Sequence, residues 1–162
     1  MADQKPDALY DVVIADLPDP KDYALSKLYS VEFYRLLRQS TSGSAVVVTQ
    51  AGSPTFAPDA FWSVNASLSE GFSATDAETL AYHGYVPSFG DWGFALGHRG
   101  RFQAGAVESG LPGLSLRYLN PQIWGAAQSF PADTAKRPVE ANRLTNHALV
   151  EYYLDGWAQW FM

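Results

Sequence analysis

The fold is decided by the stretch YDVVIADLPDP at residues 10–20. Residues 10–17 are mostly apolar and rich in β-branched side chains, and they run into a turn made of Asp and Pro. A short run that is apolar on both faces is typical of a buried strand in a parallel sheet. The sequence therefore predicts a strand from Tyr10 to Leu17 that ends in a loop.

The segments that follow alternate between helix and strand. Residues 30–39 place their apolar side chains on one helical stripe, with Ser30 as the N-cap and Gly43 in the turn after the helix. The stretch AVVVTQ at residues 45–50 repeats the buried-strand pattern, and residues 57–70 predict a second helix. This alternation favours right-handed βαβ units and a parallel sheet.

The second half of the chain predicts a hairpin and then short helices. Residues 79–86 and 92–97 are typical of two strands, and the Pro- and Gly-containing loop between them favours an antiparallel hairpin at the sheet edge. Residues 98–113 are Gly-rich and loop-like, and helical stretches follow around residues 120–128 and 146–161. We expect an α/β fold with a sheet domain over residues 1–97. A mostly helical extension over residues 98–162 is expected to pack on it.

Composition excludes several classes of protein. The 162 residues are 47% hydrophobic and 17% charged, which is a globular composition. Eleven Lys and Arg against seventeen Asp and Glu give a net charge of −6, the opposite of a nucleic-acid binder that tracks phosphates. The absence of cysteine excludes disulfides and thiolate chemistry. No apolar run approaches the roughly 18 residues of a membrane span, so neither a span nor a signal peptide is expected.

Polar side chains stand where the two predicted parallel strands end. Asp16 and Asp19 follow the first strand and Gln50 ends the second. Ligands of open parallel sheets bind beyond the carboxyl ends of the strands, and two nearby carboxylates can hold a cationic amine or take a proton from it. Alternatively, Asp19 initiates a turn before Pro20 and Asp16 caps the strand end. Spacing alone leaves both interpretations open.

Four sequence blocks occur in a defined order across residues 8–97. They are YDVVIADLPDP at 10–20, LYSVEFY at 28–34, VVTQAGSP at 47–54 and VPSFGDWGF at 86–94. Together they resemble the spermidine synthase (polyamine aminopropyltransferase) family, whose sheet is Rossmann-like and of the methyltransferase type. The later stretches LRYL at 116–119 and RPVEAN at 137–142 are similar to a bacterial branch whose longer members carry membrane helices upstream.

The resemblance implies a reaction and roles for three residues. An aminopropyl group would pass from decarboxylated S-adenosylmethionine, a co-substrate rather than a permanently bound cofactor, to a diamine such as putrescine. Asp16 matches the general base that takes a proton from the attacking amine. Asp19 matches the carboxylate that helps to hold the cationic substrate, and Gln50 matches a polar residue at the active-site strand end.

The later loop departs from the family pattern. Phe89 stands where the family usually has tyrosine, so a hydroxyl contact to the amine is missing. Tyr85 could replace that hydroxyl or be an ordinary strand aromatic. Asp91 and Trp92 could line the amine site, or they could be a hairpin turn followed by a packed tryptophan.

The resemblance also implies a missing half. The glycine-rich turn that cradles the nucleotide should lie upstream of Tyr10, and nine residues precede Tyr10 here. The first strand would then be an edge strand, which invites pairing with another strand. We therefore expect association with a complementary N-terminal half or with another copy of the chain.

Two other functions remain open from the sequence. One is a non-catalytic, truncated or split fragment that acts through association, and the other is a methyltransferase-like protein on the same fold.

The three histidines, His83, His98 and His147, lack the spacing of metal ligands, so no metal site is expected. The expected location is cytoplasmic, or at the membrane if the chain is part of a longer anchored protein.

Overall fold

A computed structural model describes residues 9–72, 77–100 and 113–160. The strands are β1 (Tyr10–Ala15), β2 (Thr41–Gly52), β3 (Ala77–Val86) and β4 (Gly90–Arg99). The helices are α1 (Tyr23–Ser26), α2 (Val31–Gln39), α3 (Pro58–Phe72), α4 (Pro121–Ala127) and α5 (Ala148–Ala158), with a 3-10 turn at Lys27–Tyr29 between α1 and α2. Most of the predicted loop over residues 98–113 lies outside the described residues.

The four strands form one mixed sheet in the order β1-β2-β4-β3. β1 and β2 are parallel, with Ile14 opposite Val48, and α2 connects them. β3 and β4 form the predicted antiparallel hairpin, and β4 also pairs antiparallel with β2. The predicted α/β architecture is confirmed, and the carboxyl ends of β1 and β2 lie side by side.

The predicted turn at Gly43 is wrong. Gly43 lies inside β2, which starts directly after the C-cap of α2 at Ser40. The chain is extended from Thr41 onward because Thr41 pairs with Tyr10 of β1. The register of this pairing shifts between Tyr10 and Val12 and is regular from Val12 to Ala15. Ser30 does cap α2 as predicted, since its hydroxyl accepts a hydrogen bond of 3.1 Å from the Phe33 amide.

Helix α3 is the centre of the core. Its buried side chains include Phe61, Leu68 and Phe72, and it packs against the sheet. Gly93 and Gly97 on β4 make this approach possible, because a Cβ at either position would overlap the ring of Phe61 or Phe72. The glycines of β4 thus let a bulky helix lie close to the strands.

The C-terminal segment is tied to the same core through buried hydrogen bonds. Asn142 is fully buried, and its side chain donates to the Ser26 carbonyl over 2.7 Å. Its carbonyl accepts from the Val31 amide over 2.9 Å, at the start of α2. Helix α5 packs on α3, with Gly156 so close to Ala57 that an added Cβ would lie 2.6 Å from the Ala57 Cβ. The boundary at residue 97 between a sheet domain and a C-terminal extension stays a prediction.

Strand β1 is an edge of the sheet. Within the described residues, β2 is its one hydrogen-bonded neighbour. Val12 is 63% exposed and Ile14 is 76% exposed, which is unusual for β-branched side chains on a strand.

None of the helices in the described ranges is long and apolar enough to cross a membrane.

Candidate active site

Gln50 ties the end of β2 to the loop that follows β1. Its Oε1 accepts a hydrogen bond of 2.9 Å from the Gly52 amide, which fixes the orientation of the side-chain amide. Its Nε2 then faces three oxygens, the Leu17 carbonyl at 2.9 Å, the Asp19 Oδ1 at 3.2 Å and the Tyr29 hydroxyl at 2.6 Å. One buried amide therefore sets the position of the Leu-Pro-Asp loop.

Tyr29 is hydrogen-bonded to the backbone of the same loop. Its side chain is fully buried, and its hydroxyl lies 3.0 Å from the carbonyls of both Leu17 and Pro18. Burial raises the pKa of the Tyr29 hydroxyl well above its ordinary value, and the negative charges of Asp19 and Asp16 raise it further. Tyr29 is therefore a neutral donor over the whole physiological pH range.

Both carboxylate oxygens of Asp19 are held by neutral donors. Oδ1 accepts from Gln50, and Oδ2 accepts a hydrogen bond of 2.9 Å from the hydroxyl of Tyr153 on α5. Burial raises the pKa of Tyr153, and its hydrogen bond to Asp19 and the charge of that carboxylate raise it further. These donors fix the direction of the carboxylate without cancelling its charge.

Asp19 opens into a cavity of about 520 Å³ whose walls are mostly aromatic. The other lining residues are Phe56, Ser88, Phe89, Trp92, Tyr153 and Trp157. They come from four places: the loop after β2, the β3–β4 turn, the start of strand β4 and helix α5. We call this space the aromatic cavity. A single carboxylate among aromatic rings suits an organic cation, because both the charge and the ring faces attract it.

The structure brings five of the predicted site residues to this place. Asp19, Phe89 and Trp92 line the aromatic cavity, and Gln50 holds Asp19. Asp16 is exposed just beyond the end of β1, close enough for its charge to raise the pKa of the Tyr29 hydroxyl. The carboxyl ends of β1 and β2 therefore do meet at one polar edge.

Tyr85 and Asp91 lie elsewhere. Both line a separate cavity of about 500 Å³ between the hairpin and α4, and Tyr85 is 71% exposed. Asp91 pairs with His83, with 2.7 Å between Oδ1 and Nδ1, and accepts a hydrogen bond of 3.1 Å from the Thr55 hydroxyl. Asp91 thus joins β3 to the loop that carries Phe56.

Four residues of the cavity were not predicted as site residues from the sequence: Phe56, Ser88, Tyr153 and Trp157. The aromatic cluster at residues 152–161 is typical of core packing, and nothing in its spacing indicates that Tyr153 and Trp157 reach Asp19. Phe56 likewise stands in an ordinary loop after β2.

Among the residues with described positions, no group of three or more His, Asp or Glu side chains could hold a metal ion.

The sequence is similar to those of known proteins over most of its length. Residues 2–99 match the family model of the spermine/spermidine synthase domain. The chain is 41% identical over 149 residues to polyamine aminopropyltransferase 2 of Ralstonia nicotianae, an alignment that covers 92% of this chain and 28% of that protein. It is 38% identical over 155 residues to the polyamine aminopropyltransferase of Leptospira interrogans, covering 95% and 29%. The chain spans less than a third of the length of these relatives.

Solved structures show the same fold. A spermidine synthase from Thermotoga maritima superposes with a TM-score of 0.58 at 18% identity, covering 93% of this chain and 44% of that one. A spermidine synthase in complex with the transition state analogue AdoDATO gives a TM-score of 0.59 at 19% identity, covering 93% and 45%. At these identities the likeness establishes the fold alone.

Proposed function

The chain belongs to the spermine/spermidine synthase family, and on that premise we propose that it forms the amine-binding and proton-accepting part of an aminopropyltransferase. The reaction transfers an aminopropyl group from decarboxylated S-adenosylmethionine to a diamine such as putrescine, as a step of polyamine biosynthesis. The observation that carries the proposal is the Asp19 carboxylate, which neutral donors hold at the aromatic cavity.

The aromatic cavity supports binding of a diamine in its charged form. An ammonium group beside Asp19 gains a charge-assisted hydrogen bond, which is roughly twice as strong as a neutral one. The rings of Trp92 and Trp157 add cation–π attraction of about 0.5–2 kcal/mol and cover the methylene chain. The second nitrogen of the diamine is then free to react outside this contact.

Asp16 is the proposed general base. The attacking nitrogen needs its lone pair, so one proton must leave the ammonium before or while the new N–C bond forms. The C–S bond of the sulfonium breaks, and its electron pair stays on sulfur as methylthioadenosine departs. The exposed Asp16 carboxylate, next to the loop that carries Asp19, accepts the proton.

The edge strand β1 supports association as part of the same proposal. Val12 and Ile14 expose an apolar strip beside a row of backbone groups that β2 does not use. Such an edge pairs readily with another strand, here from a complementary N-terminal half or from a second copy. That partner would continue the sheet beyond β1.

Val12→Lys is expected to reduce self-association of the chain, because a charge on an edge strand disfavours strand addition. The control is Leu36→Lys, which removes a side chain of equal exposure, 63%, from α2 instead of from the edge. Light scattering after size exclusion measures the mass of each variant. A wild-type chain that is already monomeric, or an equal effect of both variants, would contradict pairing between two copies through β1.

Diamine binding tests the proposed function. Calorimetric titration with putrescine is expected to show binding that Asp19→Asn weakens by roughly 10- to 100-fold, the loss of one charged hydrogen bond. Asp155→Asn, at an exposed position of α5, makes the same change of charge outside the cavity and should leave the affinity unchanged. Binding of uncharged 1,4-butanediol as tight as that of putrescine would rule out Asp19 as the ammonium site.

A further inference from the structure

Helix α5 fixes one wall of the aromatic cavity. Tyr153 lies 134 residues after Asp19 in the chain, yet the two side chains are hydrogen-bonded. The helix is held in place by fully buried Leu149, by the close contact of Gly156 with Ala57, and by a hydrogen bond of 3.2 Å from the Trp160 indole to the Phe56 carbonyl. The position of the Tyr153 hydroxyl is therefore set by tertiary packing.

A second donor to Asp19 comes from helix α5. The β3–β4 turn contributes Ser88 and Phe89 to the cavity lining, while the donors to the Asp19 carboxylate are Gln50 and Tyr153. Gln50 reaches only Oδ1 of Asp19, which leaves Oδ2 to a second donor. Tyr153 is that donor at 2.9 Å, and the raised pKa of its hydroxyl keeps the proton in place for donation.

We propose that Tyr153 is the positioning residue of the amine site: its hydroxyl fixes the Asp19 carboxylate in the direction that presents a charge to the ammonium group. This inference rests on the proposed function. Without the hydroxyl, the carboxylate is held at one oxygen and can rotate away from the cavity. The C-terminal helix is then part of the substrate site.

A double-mutant cycle on putrescine affinity tests this role. Tyr153→Phe is expected to weaken binding by roughly 10-fold, the loss of one hydrogen bond to a charged group. In an Asp19→Asn background the same substitution should change nothing, because its effect passes through the carboxylate. Tyr152→Phe is the matched control, since the Tyr152 hydroxyl accepts from the Glu140 amide, away from Asp19.

The outcomes separate the inference from the proposed function. A wild-type chain that binds no putrescine would overturn both. Putrescine binding that Tyr153→Phe leaves unchanged, or weakens equally with and without Asp19, would overturn the role of Tyr153 alone. Because Tyr153→Phe could fail to fold, the native ring is also followed by NMR of its labelled Cζ atom. Asp19→Asn should shift the Tyr153 Cζ resonance at neutral pH, because it replaces the carboxylate that accepts from the hydroxyl, and an unchanged resonance would overturn the contact.

Discussion

Replacing Asp16 with asparagine is expected to slow aminopropyl transfer by about 10²- to 10⁴-fold, the usual contribution of a general base. The asparagine amide cannot accept the proton that the attacking ammonium must lose. Asp16 is exposed beyond β1, so the free energy of unfolding should change little. The assay measures release of methylthioadenosine from decarboxylated S-adenosylmethionine and putrescine, with the chain alone and with the nucleotide-binding segment of a relative added.

Asp11→Asn is the control for this substitution. Asp11 is an exposed carboxylate on the same strand, and it accepts a hydrogen bond of 2.6 Å from the Ser42 hydroxyl near the opposite end of β1. Activity should be retained in this variant. Full turnover in Asp16→Asn would contradict the role of Asp16 as the base. Absence of methylthioadenosine in every preparation would instead favour the non-catalytic alternative.

The parts of the fold that depend on local chemistry could be predicted from the sequence. The apolar stretches at residues 10–17 and 45–50 lie in or contain neighbouring parallel strands, although β1 ends at Ala15, two residues before the predicted end, and the Ser30 cap is local to α2. The polar ends of β1 and β2 meet because parallel strands share an edge of the sheet. The residue pattern therefore predicts that Asp16, Asp19 and Gln50 lie at one edge of the sheet, while their roles stay predictions.

The rest of the site depends on contacts between distant segments. The Tyr153 hydroxyl reaches Asp19 because Gly156 lets α5 lie against Ala57, and an isolated glycine in a helical stretch does not indicate what it approaches. Asp91 was a reasonable candidate from its place in the hairpin turn. Its pairing with His83 and Thr55 joins three elements of the fold, which no local pattern could predict.

Gln50→Glu is expected to produce the largest loss of stability, about 3–5 kcal/mol at neutral pH, the cost of an uncompensated buried charge. The new carboxylate would occupy a position that is 7% exposed, and it would face the Asp19 oxygen that now lies 3.2 Å from Nε2. Burial and the like charge both raise the pKa of the introduced Glu in the folded state. Protonated, it can still donate one hydrogen bond.

The pH dependence separates charge from lost hydrogen bonds. Because the folded pKa of the introduced Glu lies above its unfolded value of about 4.3, the deficit is smallest below about pH 4 and grows as pH rises through the folded value. Gln50→Met removes the same donor without a charge, so its deficit of about 1–3 kcal/mol should be nearly independent of pH. Urea unfolding of both variants from acid to neutral pH measures the difference. Parallel curves for the two variants would show that Gln50 acts through packing and hydrogen bonding alone, with no charge of Asp19 close enough to oppose a second carboxylate.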